Sequence, residues 1–103
     1  MPYDRSKVIA GLQKACYKRP VSAEQIQDVA DKVEESIFRE FDKEVTSAFV
    51  GERVMQHLRK LDNVAYIRFA SVYRDFRDAE ELMEEISQLI GDRDSEGQAT
   101  LFQ

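Results

Sequence analysis

The sequence predicts an all-α fold, a bundle of four or five helices, and three observations predict it. Apolar residues recur three and four apart in each segment between Asp4 and Ile90. Residues that cap helix starts stand at the head of those segments, and proline or glycine stands near the ends of two of them. A short extended piece is expected at one place only, Glu44-Val45.

The first helix is expected to begin near Asp4, a cap-type residue, and to run to about Lys18 with Val8, Leu12, Ala15 and Cys16 on its apolar face. Arg19-Pro20 should end it, because the residue before proline is pushed out of the α region. Ser22 then caps a second helix, with Gln25 placed as in a capping box and Ile26, Val29, Ala30, Val33 and Ile37 as its stripe. Phe41 to Val45 is a connector. Thr46 or Ser47 caps a third helix carrying Val50, Val54, Leu58 and Leu61. Asp62 caps a fourth, which offers Val64, Ala65, Ile67, Val72 and Phe76 to the core. Asp78 and Glu81 repeat the capping-box pattern for a fifth, with Leu82, Ile86, Leu89 and Ile90 inward and Gly91 as its stop. The helical domain should therefore span 1–91, with a disordered polar tail over 92–103.

With 103 residues the chain makes one domain with a single modest core. No apolar run approaches the ~20 residues needed to span a bilayer, so no membrane role is expected. No charged-then-apolar leader is present, and the lone cysteine, Cys16, has no internal disulfide partner; both point to a cytoplasmic chain. The net charge of −5 argues against a free-standing nucleic-acid binder. The charges are unevenly spread. Residues 1–20 carry Arg5, Lys7, Lys14, Lys18 and Arg19 against Asp4 alone, and 45–77 carry six bases against three acids. The other two segments are acidic. Two basic segments packed together can focus on an anion, or they can be ordinary solvated faces.

Several residues admit two readings. Lys7, one turn into the first helix, can reach a phosphate near the helix start, or be solvated. Ser47 and Gly51 open the third helix; they can meet a nucleobase, or be a plain cap and a packing glycine. Tyr66, Phe69 and Tyr73 share a helical face, as core residues do, yet Arg68 and Arg74 border that face as they would for a base with phosphates. His57 has no second histidine or cysteine partner, so no metal site is expected. Cys16 reads as a buried, inert thiol. Without a nucleophile–base pair, a metal cluster or a glycine-rich phosphate loop, the chain is not expected to be an enzyme.

Leu58 to Phe76 spells LRKLDNVAYIRFASVYRDF, with the aromatic-basic pairs Arg68-Phe69 and Tyr73-Arg74; Lys18 to Ser22 spells KRPVS. Together these resemble the ATP-cone of the NrdR family, bacterial repressors of ribonucleotide reductase genes, over roughly Pro2 to Ile90. The resemblance implies an ATP-cone-like bundle that senses ATP against dATP and changes its self-association accordingly, forming homo-oligomers. Lys7 matches the family's first-helix lysine in P-Y-D-x-x-K, Ser47 and Gly51 fall where the helix start lies beside adenine, and Tyr73-Arg74 match a Y-R pair near the nucleotide. In that family DNA and zinc are bound by a ribbon with four cysteines, and a VxKRDG hairpin supplies further phosphate contacts. Neither pattern occurs in this sequence, so DNA and zinc binding are not expected of it and nucleotide affinity is expected to be weak or lost. The functional expectation is a nucleotide-sensing regulatory and oligomerisation domain of such a repressor. The alternative is a ligand-free helical module whose aromatic-basic helix is a protein–protein surface.

Overall fold

A computed structural model of the chain describes residues 3–40 and 45–101. It holds five helices: α1 (Arg5–Ala15), α2 (Ala23–Glu40), α3 (Ser47–Leu61), α4 (Asn63–Tyr73) and α5 (Ala79–Leu101). No strand occurs among the described residues. Of the expected extended piece, Glu44 lies outside the described residues, and Val45 is buried without regular structure.

Each helix start is built by the residue the sequence offers for it. Asp4 accepts from the Ser6 N–H, Thr46 rather than Ser47 accepts from the Phe49 N–H, and Asp62 accepts from the Ala65 N–H. At α2 the capping box is reciprocal: the Gln25 N–H donates to Ser22 Oγ at 3.1 Å, and the Ser22 N–H donates to Gln25 Oε1 at 2.8 Å. At α5 the Glu81 N–H donates to Asp78, but the Glu81 carboxylate reaches back to the Arg77 N–H instead of that of Asp78.

The ends are less faithful to expectation. α1 stops at Ala15, before the Lys18 boundary, and the chain turns with Lys18 in the left-handed region at φ 61°. The turn is closed by the Arg19 N–H on the Cys16 carbonyl, ahead of any effect of Pro20. Gly91 does not stop α5, whose backbone stays helical to Leu101. An interior glycine costs about 1 kcal/mol relative to alanine and does not by itself end a helix. The 92–103 segment thus begins as helix, and Phe102 and Gln103 lie outside the described residues.

α1 packs on α2 and α4, and α3 packs on the same two, so four helices close a ring around the core; α5 leans chiefly on α4. Leu12, Val33, Val54, Met55 and Leu58 fill the centre. All five expected stripe residues of α2 are buried. α4 departs from its expected pattern. Tyr66 and Ala70 are buried beside Ala65, whereas Val64 is 40% and Val72 85% exposed. α4 is apolar on nearly every side, so its period does not single out the buried side. Ile90 of α5, also expected inside, is 51% exposed.

Polar ties fix the ring at its corners. Arg5 of α1 pairs with Asp31 and Glu34 of α2 at 2.9 Å each. Arg19 gives Asp62 two bonds at 3.0 Å. Burial alone would raise the Asp62 pKa, but the Arg19 guanidinium and the α4 N–H groups outweigh it and hold the carboxyl below its usual range.

Candidate functional site

Tyr73, the last residue of α4, joins two helices at the expected site. Its ring lies so close to Gly51 of α3 that a Cβ there would fall 2.1 Å from Tyr73 Cε1. Its hydroxyl donates to the Ala48 carbonyl at 3.0 Å, one residue from Ser47. The flat ring that Gly51 admits to the α3 backbone is therefore tyrosine's own. Phe69 stacks on Tyr73 with centroids 6.3 Å apart.

Behind Phe69 and Tyr73 lies a cavity of about 310 Å³ between α1 and α4. Gly11 and Ala15 of α1 form one wall, Phe69, Val72 and Tyr73 the other, and Lys14 and Arg68 supply its cations. Gly11 matters because a Cβ at this position would sit 3.5 Å from the Phe69 ring, in ordinary contact, so the wall is thin without being forced. A mainly apolar pocket with aromatic faces and two cations suits a flat ligand bearing negative charge.

The cations have different standing. Arg68 donates to the carbonyls of Ala15 at 3.2 Å and Tyr17 at 2.6 Å, so it caps the C-terminal end of α1. Arg74 caps α4 and pairs with Glu85 of α5 at 2.7 Å and more loosely with Glu52 of α3 at 3.7 Å. Glu85 also accepts a short hydrogen bond from the Tyr66 hydroxyl. Burial first, then that bond and the Glu85 charge, push the Tyr66 pKa up to about 12. Lys7 is exposed and stands outside the cavity, one turn before Gly11 and two before Lys14 on the same face of α1.

The structure thus brings Gly51, Tyr73 and Arg74 together, with Ser47 exposed one residue from the tyrosine's acceptor; Lys7 approaches from a separate helix. Gly11, Lys14 and Glu85 carry geometry that the sequence does not single out. A glycine inside a helix and a lysine seven residues after Lys7 were visible signals for the first two. Glu85 lay next to inward-facing Ile86, where an acid needs a partner.

Elsewhere the chemistry is quiet. Burial raises the Cys16 thiol pKa, against nucleophilic use, and burial with nearby Lys32, Lys60 and Arg53 lowers that of His57. Among the described residues no group of three metal-ligating side chains forms, and no helix is long and apolar enough to cross a membrane.

The sequence pattern of the ATP cone domain matches residues 1–79. The chain is 50% identical over 91 residues to a transcriptional repressor NrdR of Clostridium kluyveri, covering 88% of this chain and 60% of that protein. It is 48% identical over 96 residues to a transcriptional repressor NrdR of Rhodopirellula baltica, covering 93% and 62%. A third such repressor, from Pelotomaculum thermopropionicum, is 51% identical over 88 residues, covering 85% and 53%. The chain thus spans a little over half the length of the relatives it matches.

Proposed function

The chain belongs to the ATP-cone family, and we propose from that premise that it is the nucleotide-sensing regulatory and self-associating domain of a repressor of ribonucleotide reductase genes. The ligand is ATP or dATP, held by Lys7, Ser47, Tyr73 and Arg74, with Gly51 giving the Tyr73 ring its place against α3. The observation that carries this reading is the position of Tyr73. Its ring bridges the start of α3 and an aromatic-walled cavity, with Arg74 beside it and Lys7 and Lys14 along the facing helix. A nucleotide there acts by differential contacts with two arrangements of the domain and not by catalysis.

Arg74 gives the contact its leverage. A phosphate that draws Arg74 must compete with Glu85 and Glu52, so binding is coupled to the hold of α4 on α5. Calorimetric titration of ATP and dATP tests the reading. Lys7→Ala should weaken binding by about tenfold or more, the worth of a hydrogen bond to a charged group. Undiminished affinity removes Lys7 from the site.

A second reading, a ligand-free interaction module, is favoured by one observation: Arg68 and Arg74 both already have partners within the fold. Absence of heat with either nucleotide, confirmed by unshifted Tyr73 resonances, would decide for it.

A further inference from the structure

α5 has two distinct faces. Leu82, Glu85, Ile86 and Leu89 turn toward the bundle, with Leu89 buried and Glu85 gripped by Tyr66 and Arg74. On the other side Met83 and Ile90, seven residues apart, lie in line two turns from each other, and Glu80 and Glu84, four apart, run beside them; together they form one exposed stripe. Met83 is 64% and Ile90 51% exposed. The stripe is apolar along one edge and purely acidic in its charges.

The α1–α4 face has the opposite character. Val72 stands 85% exposed on the rim of the cavity, and Tyr17 is 68% exposed just past the end of α1. Lys14, Lys18 and Arg68 are exposed around them. The bonds of Arg68 to two carbonyls fix its position without cancelling its charge. A basic, apolar groove and an acidic, apolar helix face thus occur on one chain, each with large hydrophobic side chains in water.

We infer that the α5 stripe of one copy docks on the α1–α4 face of a second copy, with Met83 and Ile90 packing on Val72 and Tyr17 at the rim of the cavity and Glu80 and Glu84 facing Lys14, Lys18 and Arg68. This rests on the reading that the domain self-associates, and it names the two surfaces that meet. Two features on the molecule select this occupant. The charges are complementary, which steers encounter and fixes register. The stripe from Glu80 to Ile90 is about 15 Å long at helical rise, comparable with the 11-residue α4 along which it would lie. The two surfaces differ, and reciprocal docking, each stripe on the other copy's groove, closes the pair as a two-fold dimer.

That asymmetry supplies the test. Val72→Asp damages only the groove, and the double variant Met83→Asp, Ile90→Asp damages only the stripe; these positions are exposed, and circular dichroism checks that each variant folds. Sedimentation velocity over a concentration series should show each variant associating at least about thirtyfold more weakly than wild type, the loss expected at an interface hot spot. Mixing the two variants should restore a one-to-one complex, because the intact stripe of one fits the intact groove of the other. A mixture as monomeric as its components overturns the inference in favour of like-with-like contact, and so does wild-type association in either variant. A wild-type chain that stays monomeric throughout instead sinks the self-association reading itself, independently of nucleotide affinity.

Discussion

α2 is amphipathic and α4 is apolar on nearly every side, and the two are held in place by different physics. α2 buries Ile26, Val29, Ala30, Val33 and Ile37 on one stripe, and its outer face is charged. α4 buries small Ala65 and Ala70 with Tyr66, and leaves Val64 and Val72 in water. What orients α4 is directional. Asp62 caps it and grips Arg19, Arg68 reaches the end of α1, Tyr66 bonds Glu85, and Tyr73 bonds the Ala48 carbonyl. Nondirectional burial needs only the right period. Directional ties need particular partners, and those partners surround the candidate site.

The largest expected effect tests the α2 side against the α4 side. Ile37→Ala, on a residue only 5% exposed, should cost about 2–5 kcal/mol in chemical denaturation through lost burial and a residual cavity. Val72→Ala, identical in sequence-level expectation, should change stability by no more than about 0.5 kcal/mol. Equal losses would erase the distinction between the two helices.

This pair also shows how much the sequence disclosed. The all-α class, the caps at Asp4, Ser22, Thr46, Asp62 and Asp78, and the α2 stripe were all legible, because caps and periods are local and one-dimensional. The inward side of α4 was not, since VAYIRFASV has apolar residues all round and only neighbours choose among them. The site was half legible. Tyr73 and Gly51 stood out as residue types, but their mutual contact spans two helices and no spacing encodes it. Lys7 stands out by its place one turn into the first helix, while Lys14, which lines the cavity, is legible only as one of the bases of 1–20.

The next effect lies at that contact. Gly51→Ala places a methyl group inside the space of the Tyr73 ring, so the ring must move. Overpacking of this kind costs about 1–3 kcal/mol. Tyr73→Ala on the same background should recover part of that loss, whereas simple additivity in the double variant would mean that the two residues do not meet.

Asp62 comes third. Asp62→Ala removes a helix cap worth about 0.5–2 kcal/mol and strands Arg19. The pH dependence has a definite sign. The folded-state pKa of Asp62 is depressed, so its stabilisation is full above the ordinary carboxylate pKa and fades as pH falls through the folded value. Wild type should therefore lose more stability on acidification than Asp62→Ala. Parallel acid limbs would count against the Arg19 tie.

The smallest effect concerns Tyr66, where the two kinds of hold meet in one side chain. Its ring is buried like a core residue, and its hydroxyl donates to Glu85 like a directional tie. Tyr66→Phe keeps the ring and should cost about 0.5–1.5 kcal/mol, since Glu85 retains Arg74 and is not left unpaired. The titration is more discriminating than the stability. With its pKa raised to about 12, Tyr66 contributes stability that is full below the unfolded tyrosine value and is lost as pH rises through the folded one. Tyr3 is pushed up to about 12 as well, mainly by burial and then by the Glu34 charge. Two of the four tyrosines should thus ionise late in an absorbance titration, and Tyr66→Phe should remove one of them. If tyrosinate absorbance in the folded wild-type protein were already complete by about pH 11, one unit above the unperturbed value, the Tyr66–Glu85 bond could not be the tie that holds α5 against α4.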